Sequence, residues 1–147
     1  MDRDKSCEER IDREYKHERE KLLAVTGMVE MPDEWYTSDD YDRDDVADMI
    51  DRYRERALWM SATEDNNGHG VEIPQGLRGV TIEMSTGGPA DGFVLGVEGW
   101  GFEVVRAWYY YQDWYDGAVM ECDKECVEAL REVWESSVEW VLTQSDR

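Results

Sequence analysis

Residues 77–112, LRGVTIEMSTGGPADGFVLGVEGWGFEVVRAWYYYQ, decide the fold. Runs rich in Val, Ile, Phe, Trp and Tyr are separated by STGGPAD and by the Gly99 region, where Gly, Pro and Asp supply turn conformations. Runs of this composition read as strands Leu77 to Met84, Gly92 to Glu98 and Gly101 to Gln112, and the separators suit hairpins. The expected unit is an antiparallel meander of three strands, or four if Val71 to Ile73 adds an edge. In the last strand, alternation sends Trp108 and Tyr110 to one face and Tyr109 and Tyr111 to the other. One face can pack on helices. The other is expected to stay a partly exposed aromatic strip running into Asp113, Trp114, Tyr115 and Asp116.

Helical patterns flank the meander. Residues 4–26 carry a thin apolar stripe at Cys7, Ile11, Tyr15, Leu22 and Val25, supported by the i,i+4 pairs Glu9 with Arg13 and Asp12 with Lys16. Glu18 interrupts the stripe, which places this helix at the periphery of the domain or against a second copy in a homodimer. Residues 29–41 contain Pro32 and a polar run and read as a loop. From about Asp42, Val46, Met49, Ile50, Tyr53, Ala57 and Met60 keep helical spacing, which predicts a helix ending near Ala62. NNGHG at 66–70 is turn chemistry. Asp123 to Gln144 predicts a last helix, with Val127, Leu130, Val133 or Trp134, Ser137, Val138, Val141 and Leu142 inward. The order helix, helix, three strands, helix makes residues 1–147 one α+β domain with about three helices on one face of the sheet.

Charge narrows the function. The chain carries 36 acidic and 16 basic side chains, a net charge of -20, which makes direct binding to nucleic acid, anionic membrane or polyphosphate unfavourable and calls for a basic partner. The acid is concentrated: residues 29–51 hold ten acids and one Arg, and residues 113–139 hold nine acids and two bases. A salt-adapted surface would spread its acid evenly, although the low lysine count, four against twelve Arg, suits a salt-loving source. Seven Trp and eight Tyr set the chain apart from acidic disordered tails. The charged start MDRDKSCEER has no apolar core behind it, no run approaches the ~18 apolar residues of a membrane span, and the three cysteines are an odd set. The expected location is the cytoplasm, with reduced thiols.

Motifs for chemistry are weak. Asp40, Asp42 and Asp44 have the spacing of a calcium loop, but Asp45 stands where Gly is needed and Asp51 where Glu is. Cys122 and Cys126 lack the CxxC or paired-His spacing of a zinc site. Asp113 and Asp116 beside aromatics are the best pair for carboxylate catalysis, and no nucleophile, metalloprotease or phosphate-loop motif accompanies them. The chain therefore reads as a non-enzyme without metal or cofactor.

What remains is the acidic surface itself: Asp39, Asp40, Asp42, Asp44, Asp45, Asp48 and Asp51 in the first stretch, and Asp113, Asp116, Glu121, Glu125, Glu128, Glu132 and Glu135 in the second, continued by Glu139. Acids three or four apart on a helix stand about 5–6 Å from one another and form lines of charge. Trp114 and Tyr115 complete this surface as an aromatic anchor on which an arginine can stack. The size, the acidity, the aromatic-rich core and the helix-borne acid rows resemble the DNA-mimicking counter-defence proteins of phages and mobile elements, the anti-CRISPR and antirestriction inhibitors. The resemblance is one of type and spans the chain. It implies a stoichiometric inhibitor, acting in the bacterial cytoplasm, that occupies the DNA-binding channel of a CRISPR effector or restriction enzyme. An immunity protein that neutralises a basic toxin such as a nuclease fits the same charge pattern.

Overall fold

The computed structural model of the chain describes residues 6–28, 46–63, 69–86, 89–99, 101–113 and 116–145, with 46–48 and 145 as backbone alone. The described residues form helix α1 (Cys7–Val25), helix α2 (Val46–Glu55), strands β1 (Trp59–Thr63), β2 (Leu77–Ser85), β3 (Ala90–Glu98), β4 (Val104–Asp113) and β5 (Asp116–Glu121), and helix α3 (Lys124–Ser145). The strands make one antiparallel sheet in the order β1-β2-β3-β4-β5, a pure meander. The class is α+β, as the sequence implies, with two strands more than the three it marks plainly.

Both extra strands have a physical explanation. Ala57 and Met60 continue the helical spacing of α2, yet the helix stops at Glu55 and closes with tight bonds from the Arg56 and Ala57 N–H groups to the Tyr53 and Arg54 carbonyls. Leu58 N–H then donates to the Glu83 carbonyl at 2.7 Å, and the chain joins the sheet as β1. Met60 opposite Ile82 and Ala62 opposite Val80 face the helices, so Met60, which fits the helical spacing, fits a period of two with Ala62 as well. At the other end DGAVME pairs with β4 from Asp113↔Asp116 to Trp108↔Glu121. Its alternation of exposed and half-buried residues is too faint to stand out in sequence.

One face of the sheet carries the main core. Val80, Ile82, Phe93, Leu95, Tyr109 and Tyr111 meet Leu22, Tyr53, Leu130, Val133 and Leu142 from the helices. Each such side chain contributes about 1.5–3 kcal/mol on burial. α1 belongs to this core and is not peripheral: Cys7, Ile11, Tyr15 and Leu22 to Val25 are buried, and Tyr15 packs against Tyr109 with ring centres 5.9 Å apart. Glu18, the apparent break in its stripe, is buried with them. Its carboxylate accepts from the Tyr53 hydroxyl at 3.1 Å and is reached by Arg56 and Lys21 at 3.5 and 3.8 Å. Burial and this carboxylate together hold the Tyr53 hydroxyl well above its ordinary pKa.

The opposite face differs from the expected open aromatic strip. Trp108 and Tyr110 are 7% and 1% exposed, under Val71 and Ile73. Val71 to Ile73, which the sequence offered as an edge strand, are therefore part of an irregular strap across this face. His69 at its start stacks on Tyr110 at 3.9 Å and bonds Gln112 at 3.1 Å. Glycine makes room for the rings: a Cβ at Gly92 would strike the Ile82 carbonyl and the Tyr110 ring, and one at Gly96 would sit 3.2 Å from the Trp108 ring. No described helix is long and apolar enough to cross a membrane.

Candidate partner-binding surface

α3 is positioned by its start and by its inner face. The Asp123 carboxylate accepts from the Cys126 N–H at 2.9 Å, an N-cap, while Tyr15 and Arg19 of α1 bind Asp123 from the other side at 3.0 and 2.6 Å. Cys126, Val127, Ala129, Leu130, Val133, Trp134, Val138, Val141 and Leu142 are buried, which fixes the rotation of the helix. The outward side then carries Glu125, Glu128, Glu132, Glu135 and Glu139, all exposed. At 100° per residue these five lie within an arc of roughly 80°, and they span roughly 21 Å of helix axis.

Little neutralises this row. Glu125 lies 3.5 Å from Arg19, whereas Glu128, Glu132, Glu135 and Glu139 make no ion pair among the described residues. Arg131, the base closest to them in sequence, turns away. Its guanidinium donates to the Val104 carbonyl at 3.1 and 2.8 Å and stands 3.5 Å from Glu103.

The aspartates of the β4–β5 hairpin behave in the opposite way. Asp113 accepts from Arg10 at 2.7 Å with both side chains largely buried, and the Arg10 guanidinium also sits over the Tyr111 ring at 5.3 Å. Asp116 accepts the Cys7 N–H at 2.6 Å and its own neighbour Gly117 N–H at 3.0 Å. Cys7 is the first residue of α1, so Asp116 places a carboxylate at a helix N-terminus where the dipole favours it. The bond from Cys7, then that from Gly117, hold its pKa below the usual carboxylate value against a small cost of burial. These two carboxylates close the hairpin onto α1 and are committed within the molecule.

The other sequence-derived positions divide three ways. Asp39, Asp40, Asp42, Asp44, Asp45, Trp114 and Tyr115 lie outside the described residues, and Asp48 is placed only as backbone in the first turn of α2. Asp51 is exposed on α2 and lies 3.5 Å from Arg54. Glu121 does not belong to the helical row. It ends β5 on the strap side of the sheet, where Arg106 grips both its oxygens at 3.0 and 2.7 Å.

Sequence reasoning passed over one feature. Leu58, Trp59 and Trp140 are 56%, 63% and 65% exposed, and all three line one open groove of about 520 Å³ between α3, β1 and the end of α2. Trp140 was the available signal, a large aromatic among Ser136, Glu139 and Thr143 on the polar side of α3. The thiols of Cys7, Cys122 and Cys126 are free and buried, with Cys122 raised by its hydrogen bond to Cys126 and then by burial. No group of three or more His, Cys, Asp or Glu suited to a metal ion occurs among the described residues. No protein-family model, curated protein sequence or solved structure matches the chain.

Proposed function

We propose that this protein is a stoichiometric inhibitor whose acidic surface stands in for nucleic acid and blocks the DNA-binding site of a CRISPR effector or restriction enzyme. The observation that carries the reading is the α3 row: five exposed glutamates on one helix, four of them without a counter-charge among the described residues. Its charge spacing, roughly 5 Å along the helix axis, approaches the about 3.4 Å per phosphate along one DNA strand. Such a row offers Lys and Arg of a DNA channel the pairing that phosphates would offer, on a support that loses no chain entropy on binding. It needs no catalytic group, metal or cofactor. Asp39, Asp40, Asp42, Asp44, Asp45 and Asp48 would extend the charge, and Trp114 with Tyr115 would supply an anchor.

An immunity protein that neutralises a basic toxin is the second reading, and a specific observation favours it. The exposed groove of Leu58, Trp59 and Trp140 is an apolar, shaped feature that phosphate mimicry does not require.

Affinity purification from a host that carries CRISPR and restriction systems identifies the target. Inhibition of that target is expected to compete with DNA, to weaken steeply with salt, and to be lost in Glu128→Gln/Glu132→Gln/Glu135→Gln or in Asp44→Asn/Asp45→Asn/Asp48→Asn. Full inhibition by both triple variants would remove the mimicry reading.

A further inference from the structure

We infer that the groove lined by Leu58, Trp59, Trp140 and Val141 is the apolar anchor of the partner interface, and that it receives an arginine-bearing apolar segment of the basic protein bound by the α3 glutamates. This rests on the reading above only in taking the partner to be a basic protein. Of the five large hydrophobic side chains that are exposed among the described residues, three lie in this one groove, which makes it a patch and not scattered exposure. Two indoles and a leucine so exposed present on the order of 400 Å² of apolar surface, the size of the largest patch on a typical monomer.

Position selects the occupant. Ser136 and Trp140 separate the groove from Glu132, Glu135 and Glu139, and Trp140 follows Glu139 in sequence. A side chain entering over Trp140 therefore has an exposed indole on one side and, on the other, carboxylates that make no ion pair among the described residues. Arginine satisfies both at once, stacking its guanidinium on the ring and pairing with a carboxylate. Arg54, the one cation among the described residues that line the groove, is already engaged: its Nε donates to the Val133 carbonyl at 2.6 Å and its other end lies 3.5 Å from Asp51. Beneath, Trp134 lines the same groove, and its indole N–H is buried with no hydrogen-bond partner among the described residues.

A second copy of the chain is the poorer occupant. It carries the same net charge of -20, so the two copies repel, and its glutamates offer the α3 row nothing to pair with. Even with all the exposed surface of Leu58, Trp59 and Trp140 covered on both copies, the contact would bury at most about 800 Å² in total, less than the about 1,200 Å² of a stable interface. A basic partner escapes both limits, because it covers the glutamate row together with the groove.

Three synthetic peptides of equal length test this against the full chain by calorimetry: one of arginine and leucine, one with each leucine replaced by serine, and one with each arginine replaced by glutamate. The arginine–leucine peptide is expected to bind at least about tenfold more tightly than the arginine–serine peptide, and the glutamate peptide not at all. Trp140→Ala, checked for folding by thermal melting, is expected to weaken the arginine–leucine peptide about thirtyfold, the scale of a truncated aromatic hot spot, and the arginine–serine peptide, which loses only the guanidinium stacking, by no more than about fivefold. Trp59→Ala is expected to act in the same direction from the other wall. Equal binding of the two arginine peptides, failure of the arginine–leucine peptide to bind, or indifference to both tryptophan variants overturns the proposal. So does a dimer in sedimentation that Trp140→Ala dissolves. Glu132→Gln/Glu135→Gln/Glu139→Gln separates the readings: if it costs no affinity while Trp140→Ala does, the groove stands and the acidic-surface reading falls.

Discussion

The β4–β5 hairpin and the outer side of α3 carry the same chemistry, clustered carboxylates in an acidic stretch, and the molecule uses them in opposite ways. Asp113 and Asp116 meet Arg10 and the Cys7 N–H and stitch the hairpin to the first turn of α1. Glu128, Glu132, Glu135 and Glu139 meet no counter-charge among the described residues. A residue count cannot separate the two, since both regions are rich in acid. What separates them is whether the fold brings a donor to the carboxylate. Charge that the fold consumes is structure, and charge that it leaves over is available to a partner.

Removing Asp113 should break this contrast most visibly. Its pair with Arg10 is largely buried, with side chains 9% and 14% exposed, so Asp113→Ala takes the counter-charge from a guanidinium whose own Nε is already buried without an acceptor among the described residues. The expected loss is about 3 kcal/mol, measured by urea unfolding at neutral pH. Glu135→Ala in the same assay should cost far less. Similar losses for the two variants would mean that the hairpin and the row do not differ in kind.

A pH titration sharpens the comparison at smaller amplitude. The folded-state pKa of Asp116 lies below the ordinary 3.8, so its contribution is complete above that value and disappears as pH falls through the lowered one. Asp116→Asn should therefore be less stable than the parent at neutral pH, and the gap should close as pH drops below 3.8. A gap that stays constant with pH would show that the oxygen, and not its charge, holds the Cys7 N–H.

Much of the fold was legible because it is written in local periodicity. β2, β3 and β4 follow strand composition and turn residues, and the inner side of α3 follows from Val127, Leu130, Val138, Val141 and Leu142. The failures lie where local pattern is ambiguous or absent. Met60 fits a helix and a strand equally well, and pairing with β2 decides for the strand. The strap from His69 to Pro74 has no period, so nothing announced that it covers Trp108 and Tyr110. Glu18 reads as a flaw in a stripe until Tyr53, 35 residues on, supplies its donor. The site divides along the same line: the α3 glutamates were legible as a helical row, whereas Arg10 reaches Asp113 across 103 residues of sequence.

The smallest expected effect is the most telling. Glu128→Gln/Glu132→Gln/Glu135→Gln/Glu139→Gln removes four exposed charges that make no pair among the described residues, so it should change stability by no more than about 1 kcal/mol, a few tenths for each surface substitution. The sign should be stabilising. Neighbours three and four apart on a helix repel when like-charged, each pair by a few tenths of a kcal/mol, and glutamine keeps the helix propensity while removing that repulsion. Salt screens exposed charges over about 8 Å at physiological strength, so the gain should shrink as salt is added. Urea unfolding of parent and variant at low and high salt measures it. A loss of stability, or a gain indifferent to salt, would mean that these glutamates serve the fold as the hairpin aspartates do. If the gain appears as stated, the row is a feature that the isolated molecule carries at a small cost, as expected of charge held for a partner.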